Sequence, residues 1–209
     1  GIRDPLGIRP LCVGKLNNSY ILSSESCALD AIGAEFVRDV EPGEIVLIGE
    51  DGIKSVQTRV SNKSRLCIFE FVYFARPDSI IDGSSVYRSR IEAGKRLAIE
   101  YPVDADVVIG APDSGITAAL GYSIQSGIQY GQGLLKNRYV GRTFIKPDQG
   151  ERESSVRIKF NAISDEVNGK RVIMVDDSIV RGTTTKRIVQ MLKDAGAKEV
   201  HMRVSSPPI

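Results

Sequence analysis

The sequence predicts an α/β protein with a doubly wound, mostly parallel sheet, preceded by an antiparallel β-rich module. Three observations carry this. Residues 172–175 and 106–110 are short apolar runs, too short for helices, and read as strands buried on both faces. Each is followed by a short polar loop and then by a helical pattern, the repeated unit of a doubly wound sheet. Residues 1–60, by contrast, are strand-and-turn text without such units.

From the amino end, 11–13 and 20–22 flank Asn17-Asn18, a hairpin signal. Ser24-Glu25-Ser26 opens a short helix through Leu29 to Ile32, and Gly33 closes it. The turn Glu41-Pro42-Gly43-Glu44 leads into a strand over 45–48 and the turn Glu50-Asp51-Gly52. The polar run 54–63 reads as an inter-domain link. Residues 67–74, rich in aromatic and β-branched side chains, read as a strand that turns away at 75–79. A helix is expected over 86–99, with Val86, Ile91, Ala93, Leu97 and Ala98 on its apolar side. Ser84 or Ser85 is its cap and Pro102 its stop. After the 106–110 strand, Ala111-Pro112-Asp113-Ser114-Gly115 forms a tight loop before a helix over 116–124.

The stretch 136–159 has no clear period and holds seven bases against three acids, a net of +4. Loops this long inside a compact domain are usually functional lids. The 172–175 strand then leads into a helix with Ile188, Val189, Met191, Leu192 and Ala195 on one stripe. Thr183 or Thr184 is expected to cap its start, and Gly196 to stop it. A final strand is expected over 199–204.

The loop between the 172–175 strand and its helix has a chemical reading. Gly182 lets a ligand approach the backbone, and the free N–H groups of Thr183, Thr184 and Thr185 face the same point as the positive end of the helix dipole. That suits a phosphate monoester. Asp176 and Asp177 suit hydroxyls or a divalent cation. A ribose 5-phosphate satisfies both ends. The spacing is neither a Walker loop nor G-x-G-x-x-G.

The bulk numbers exclude several classes. A 42% apolar share over 209 residues supports a packed core, and a net charge of +2 gives no reason to expect general nucleic-acid binding. No apolar run approaches a membrane span and no signal-peptide pattern opens the chain. The three widely spaced cysteines, Cys12, Cys27 and Cys67, indicate no disulfide framework, and a cytoplasmic, reducing setting is expected. The single histidine, His201, reads as structural and excludes multi-histidine metal sites. The opening Gly1-Ile2-Arg3-Asp4, without an initiator methionine, and the end just past a strand read like an excerpt.

The stretch V-I-M-V-D-D-S-I-V-R-G-T-T resembles the phosphoribosyl pyrophosphate loop of type I phosphoribosyltransferases. The long form D-D-S-I-V-R-G-T-T, with R-D-P-L-G-I-R-P-L, S-S-E-S-C-A, V-E-P-G-E-I, C-I-F-E-F-V-Y-F-A-R-P-D-S and K-N-R-Y-V-G-R-T-F-I, is similar to the glutamine phosphoribosylpyrophosphate amidotransferases. The resemblance spans essentially the whole chain. It implies that 1–60 is the later part of an N-terminal-nucleophile glutaminase domain, 61–83 a connecting segment and 84–209 a phosphoribosyltransferase domain. The nucleophilic cysteine would lie upstream, and Cys12 and Cys27 do not match its context.

The resemblance also assigns roles. Asp176, Asp177, Ser178, Arg181, Gly182, Thr183 and Thr184 would bind phosphoribosyl pyrophosphate. Asp113 and Ser114 would belong to the pyrophosphate loop, and Ser114, Asp176 and Asp177 would contact Mg2+. Arg138, Arg142 and Lys159 would act on the leaving group from the lid. Cys67 matches a ligand of a 4Fe–4S cluster in one branch of the family, and other branches carry this cysteine without a cluster. The implied activity is transfer of the phosphoribosyl group to ammonia derived from glutamine, the first step of purine biosynthesis, by a homo-oligomer with no nucleic-acid or membrane partner. The rival readings are a nucleobase phosphoribosyltransferase and a non-catalytic phosphoribosyl pyrophosphate-binding regulator.

Overall fold

The computed structural model describes residues 1–57, 64–137 and 159–207, which form two compact units, Gly1–Ser89 and Arg90–Ile209.

In the first unit, β1 (Cys12–Leu16) and β2 (Ser19–Ser23) form the expected hairpin, turned by Asn17 in the left-handed region at φ 53°. The helix Ser26–Ala31 packs Leu29 against Cys12 and Ala34. β3 (Glu35–Asp39), which the sequence did not announce, pairs with the other side of β1 to give the order β2-β1-β3. β4 (Glu44–Gly49) and β5 (Gly52–Gln57) make a second hairpin. The start of the expected link is therefore strand: β4 supplies hydrogen-bonding partners that polar composition alone does not reveal. Residues 58–63 of that link lie outside the described residues. Buried Arg3 ties this unit together, donating to both Asp82 carboxylate oxygens at 2.7 Å and to the Val40 carbonyl.

The expected strand over 67–74 is instead a helical turn, with a π-helical stretch Glu70–Phe74 closed by the Ala75 N–H on the Glu70 carbonyl. β-propensity reports fit to a pleated, half-buried surface. Here Ile68, Tyr73 and Phe74 remain about half exposed, while buried Glu70 accepts from Arg9 at 2.5 Å. The chain makes ladder-like bonds only just before the turn, from Arg65 and Cys67 to Leu6 and Ile8. Short strands β6 (Ile80–Ile81) and β7 (Ser84–Ser85) follow, and the Ser85 hydroxyl accepts from the Arg88 N–H at 3.3 Å, capping the helix Val86–Glu100 as expected.

The second unit is the predicted parallel sheet. β8 (Val107–Gly110), β11 (Arg171–Asp176) and β12 (Glu199–Val204) run in the order β12-β11-β8, all parallel. Alternation along β11 builds two cores. Val172 and Met174 pack with Val107, Ile109 and with Ile188 and Leu192 of the helix Thr183–Asp194. Ile173 and Val175 pack on the other face with Val108 and with Ala118, Ala119 and Tyr122 of the helix Gly115–Ser126. Helices thus cover both faces, which is why the strands read as continuous apolar runs. β9 (Leu134–Lys136) and β10 (Phe160–Ala162) pair antiparallel, and residues 138–158 of the expected lid lie outside the described residues.

Candidate active site

The crevice is made by glycines before it is made by any charged group. Gly110 ends β8 and Gly115 starts the next helix. A Cβ at Gly110 would lie 2.6 Å from the Ile116 Cα, and one at Gly115 would lie 2.3 Å from the Val175 carbonyl oxygen and 3.1 Å from the Asp176 Cα. Backbone-to-backbone contact therefore seats the 111–114 loop directly against the end of β11, and the Ala111 N–H donates to the Val175 carbonyl at 2.8 Å. Two loops that the sequence places 65 residues apart share one ledge at the carboxyl ends of adjacent parallel strands, the usual ligand position in open α/β sheets.

On that ledge the two acids differ. Asp177 is buried, and one of its oxygens accepts from the Ser178 hydroxyl at 2.6 Å. Asp176 accepts from the Asp177 N–H at 2.8 Å. Burial, reinforced by the neighbouring Asp177 charge, pushes the Asp176 carboxyl up to about 6. Two neighbouring carboxylates that repel, one half-buried and one buried, fit a divalent cation whose remaining ligands are water or substrate phosphate. Just beyond, the Ser205 and Ser206 N–H groups donate to the Asp176 and Asp177 carbonyls, an anchorage of the acidic pair that no sequence signal marked.

The helix after β11 starts at Thr183 with Gly182 before it, left-handed at φ 68°. No side chain caps it, so the expected cap by Thr183 or Thr184 is not formed. The chain enters through a left-handed glycine, which lies before both hydroxyls and leaves them inside the first turn. The first helical bond runs from the Lys186 N–H to the Gly182 carbonyl at 2.9 Å, so the N–H groups of Thr183, Thr184 and Thr185 precede it and face outward as an anion cradle. Thr183, Thr184 and Arg181 are exposed, Ser178 and Gly182 half-buried.

The second crevice shows a matching feature. Ser114 sits before the Gly115–Ser126 helix without capping it, and Asp113 is exposed and ion-paired with Lys136 of β9. Lys159 adjoins β10, with its ammonium 5.5 Å from the centre of the Phe160 ring. Arg138 and Arg142 lie outside the described residues. Cys67 is half-buried, and among the described residues no three His, Cys, Asp or Glu side chains cluster as metal ligands. One thiolate does not fit a four-cysteine cluster.

A family model for the phosphoribosyl transferase domain matches residues 88–205, more than half of the chain and the whole of this ledge. The chain belongs to that family. Its second unit has the type I phosphoribosyltransferase fold, an α/β domain on a parallel sheet. The chain is 61% identical over its full length to an amidophosphoribosyltransferase of Archaeoglobus fulgidus, covering 46% of that protein. It is 54% identical over 99% of its length to one of Bacillus subtilis, covering 43% of it. Among solved structures it superposes on the B. subtilis glutamine phosphoribosylpyrophosphate amidotransferase complexed with ADP and GMP. There the TM-score is 0.88 at 55% identity, over 99% of this chain and 45% of that one. The chain thus spans less than half the length of the curated relatives it matches.

Proposed function

We propose that this chain carries the phosphoribosyl-transferring site of an amidophosphoribosyltransferase, a glycosyltransferase of purine biosynthesis. It would convert phosphoribosyl pyrophosphate and ammonia to 5-phosphoribosylamine and pyrophosphate, the ammonia coming from glutamine in the intact enzyme. The observation that carries the reading is the shared ledge, where paired acids and an uncapped helix start face a second strand–loop–helix crevice across glycine-only contacts. The relatives' names support ammonia as acceptor over a nucleobase.

Each group then has a task. The N–H groups of Thr183, Thr184 and Thr185 hold the 5-phosphate, with Gly182 giving room for it. Asp176 and Asp177 hold the ribose hydroxyls, and Ser178 fixes Asp177. The 111–114 loop, with Ser114, receives the pyrophosphate. Departure of pyrophosphate leaves oxocarbenium character on the anomeric carbon, so placement of charge matters more than a strong acid or base. Mg2+, held from the Asp176–Asp177 side with Ser114, would neutralise charge on the leaving group. Arg138, Arg142, Arg181 and Lys159 supply further positive charge, and the basic 136–159 stretch excludes water in favour of ammonia.

The same reading makes residues 1–60 part of a glutaminase domain, 61–83 a connection and 84–209 the transferase domain, in a cytoplasmic homo-oligomer. Among the described residues, no helix is long and apolar enough to cross a membrane. Neither Cys12 nor Cys27 is a candidate nucleophile for glutamine. Both are buried, and burial pushes the Cys12 thiol up to about 11 and the Cys27 thiol up from its ordinary value, which keeps them protonated.

The test is pyrophosphate release from phosphoribosyl pyrophosphate and Mg2+ by these 209 residues, with ammonium or glutamine as donor. Release with ammonium and none with glutamine is expected. Asp176→Asn with Asp177→Asn should abolish it. Unchanged release in that variant would move the site elsewhere, and release driven by glutamine would contradict the assignment of the cysteines.

A further inference from the structure

Three sequence motifs of the first unit have no task in the proposed reaction, and their side chains meet at one short hairpin. Arg3 of R-D-P-L donates to both carboxylate oxygens of Asp82 at 2.7 Å. Asp39, which ends β3, accepts from the N–H groups of Asp82 and Gly83. Both turn residues are left-handed, at φ 46° and 73°, which suits the tight connection of β6 to β7. Glu25 of S-S-E-S-C-A accepts from the N–H of Arg76 and the hydroxyl of Ser79 in A-R-P-D-S, each at 2.8 Å. The adjoining Ser26 hydroxyl accepts from the Ile80 N–H at 2.8 Å.

The hairpin in turn fixes the start of a helix. The N–H groups of Val86 and Tyr87 donate to the carbonyls of Ser79 and Pro77 at 3.0 and 2.9 Å, and Ile81 and Val86 are buried with Ala75. A connection that only spans two units can be polar and loose. Here a buried arginine, two acids and a buried hydroxyl hold it.

The Val86–Glu100 helix begins in the first unit and ends in the second. Its 15 residues make a rod about 22 Å long. Within the second unit it meets the Gly115–Ser126 helix backbone to backbone. A Cβ at Gly94 would overlap the Ala118 carbonyl, and one at Gly121 the Ile91 carbonyl. Glycine inside a helix is destabilising relative to alanine, so two at one crossing mark a contact that admits no side chain. The second rod starts at Gly115, itself wedged against the Val175 carbonyl at the ledge. Close-packed backbone passes a displacement on instead of absorbing it.

We propose that Glu25, with Ser79, is a positioning residue for the pyrophosphate loop and acts through the Val86–Glu100 helix. The clamp sets where that helix starts. The glycine contacts carry the setting to the Gly115–Ser126 helix, which bears the 111–114 loop at its head. By linkage the effect is reciprocal, and pyrophosphate on the loop steadies the hairpin. No proton moves, and no bond is made or broken. This inference rests on the proposed phosphoribosyl transfer, because it takes pyrophosphate as the ligand of that loop.

The experiment is calorimetric titration of the 209-residue chain with magnesium pyrophosphate and, separately, with ribose 5-phosphate. Glu25→Ala should weaken pyrophosphate about fivefold, a modest coupling between distant sites. Ribose 5-phosphate should bind unchanged, because the helix at its crevice is held by Ile188 and Leu192 in the core. Ser79→Ala removes the hydroxyl from the same bond and reads the same effect if Glu25→Ala fails to fold. The control is Glu44→Gln, which disturbs another paired acid of the first unit, whose partners Arg38 and Ser55 lie outside the hairpin. It should lower the unfolding temperature and leave pyrophosphate binding alone. In hydrogen exchange of the unaltered chain, magnesium pyrophosphate should slow the amides of 80–85 about fivefold, and ribose 5-phosphate should not.

Unchanged pyrophosphate binding in the folded clamp variant, or equal weakening by Glu44→Gln, would overturn the inference. So would equal weakening of both ligands, or no added protection over 80–85. Each of these leaves the transferase reading in place. Failure of the unaltered, folded chain to bind either ligand would overturn the transferase reading and this inference with it.

Discussion

The two crevices of the ledge are built on the same plan and held by opposite means. After β8, the chain turns within four residues, and the turn is locked by backbone contact: neither Gly110 nor Gly115 has room for a Cβ. After β11, the loop is longer, and a Cβ at Gly182 would meet nothing within 4 Å. Ile179 and Val180 project outward, Val180 being 87% exposed. A backbone wedged against β11 fixes a position. An open loop with a left-handed glycine fixes only a direction, that of the N–H groups leading into the helix. The first crevice is therefore the rigid reference for the second.

The sharpest way to break that comparison is Gly115→Ala. Its Cβ would meet the Val175 carbonyl oxygen at 2.3 Å, a backbone atom in the central strand that has no room to yield. Overpacking of this kind costs about 3 kcal/mol, and both crevices should be disturbed together because they share the contact. Urea unfolding is expected to show the loss, with phosphoribosyl pyrophosphate binding falling in parallel. A variant of native stability would mean that the crevices are independent.

A smaller effect follows from the charge on the ledge. Burial raises the Asp176 carboxyl to about 6, against an ordinary value of about 3.9. The folded state therefore holds this proton more tightly than the unfolded state. Stability from this group is greatest below about pH 4, declines as pH rises towards about 6, and stays lost above it. Asp176→Asn should stabilise the chain by about 2 kcal/mol at pH 8 and hardly at all at pH 4, while removing magnesium-dependent activity. Urea midpoints of both proteins across that range provide the check. A gain independent of pH would show that the acid's charge is not what the fold pays for.

Much of this was legible in the sequence, for physical reasons that differ by region. The strands 107–110 and 171–176 are buried on both faces, and their apolar runs say so. The stripe Ile188, Val189, Met191, Leu192 and Ala195 lies against the core as its spacing required. The acids, Gly182 and the threonines stand in the order that a ribose 5-phosphate would require, so they are legible without the fold. Local cues failed where the partner was distant. Residues 70–74 carry strand-like side chains but form a helical turn, in which buried Glu70 pairs with Arg9 from far along the chain. The 54–57 part of β5 reads as a link because its polar composition does not reveal its pairing with the 45–48 strand. Lys136 and Asp113 are 23 residues apart, and only the hairpin of β9 and β10 brings them together.

The mildest test of the comparison is Gly182→Ala. Space is open around this residue, so no contact is lost, and the cost is the left-handed backbone at φ 68° alone. That conformation costs an alanine about 1 kcal/mol more than a glycine. The helix after it is anchored by Ile188 and Leu192 in the core and should persist, so the fold is expected to survive with a correspondingly lower urea midpoint. Binding should be affected more than stability, because an added methyl group stands beside the N–H groups of Thr183 and Thr184, where a phosphate must approach the backbone. Titration with ribose 5-phosphate and with magnesium pyrophosphate separates the two crevices: the first should weaken and the second should not. Equal weakening of both would mean that the open loop governs the whole ledge, and that the short, wedged loop is not the reference.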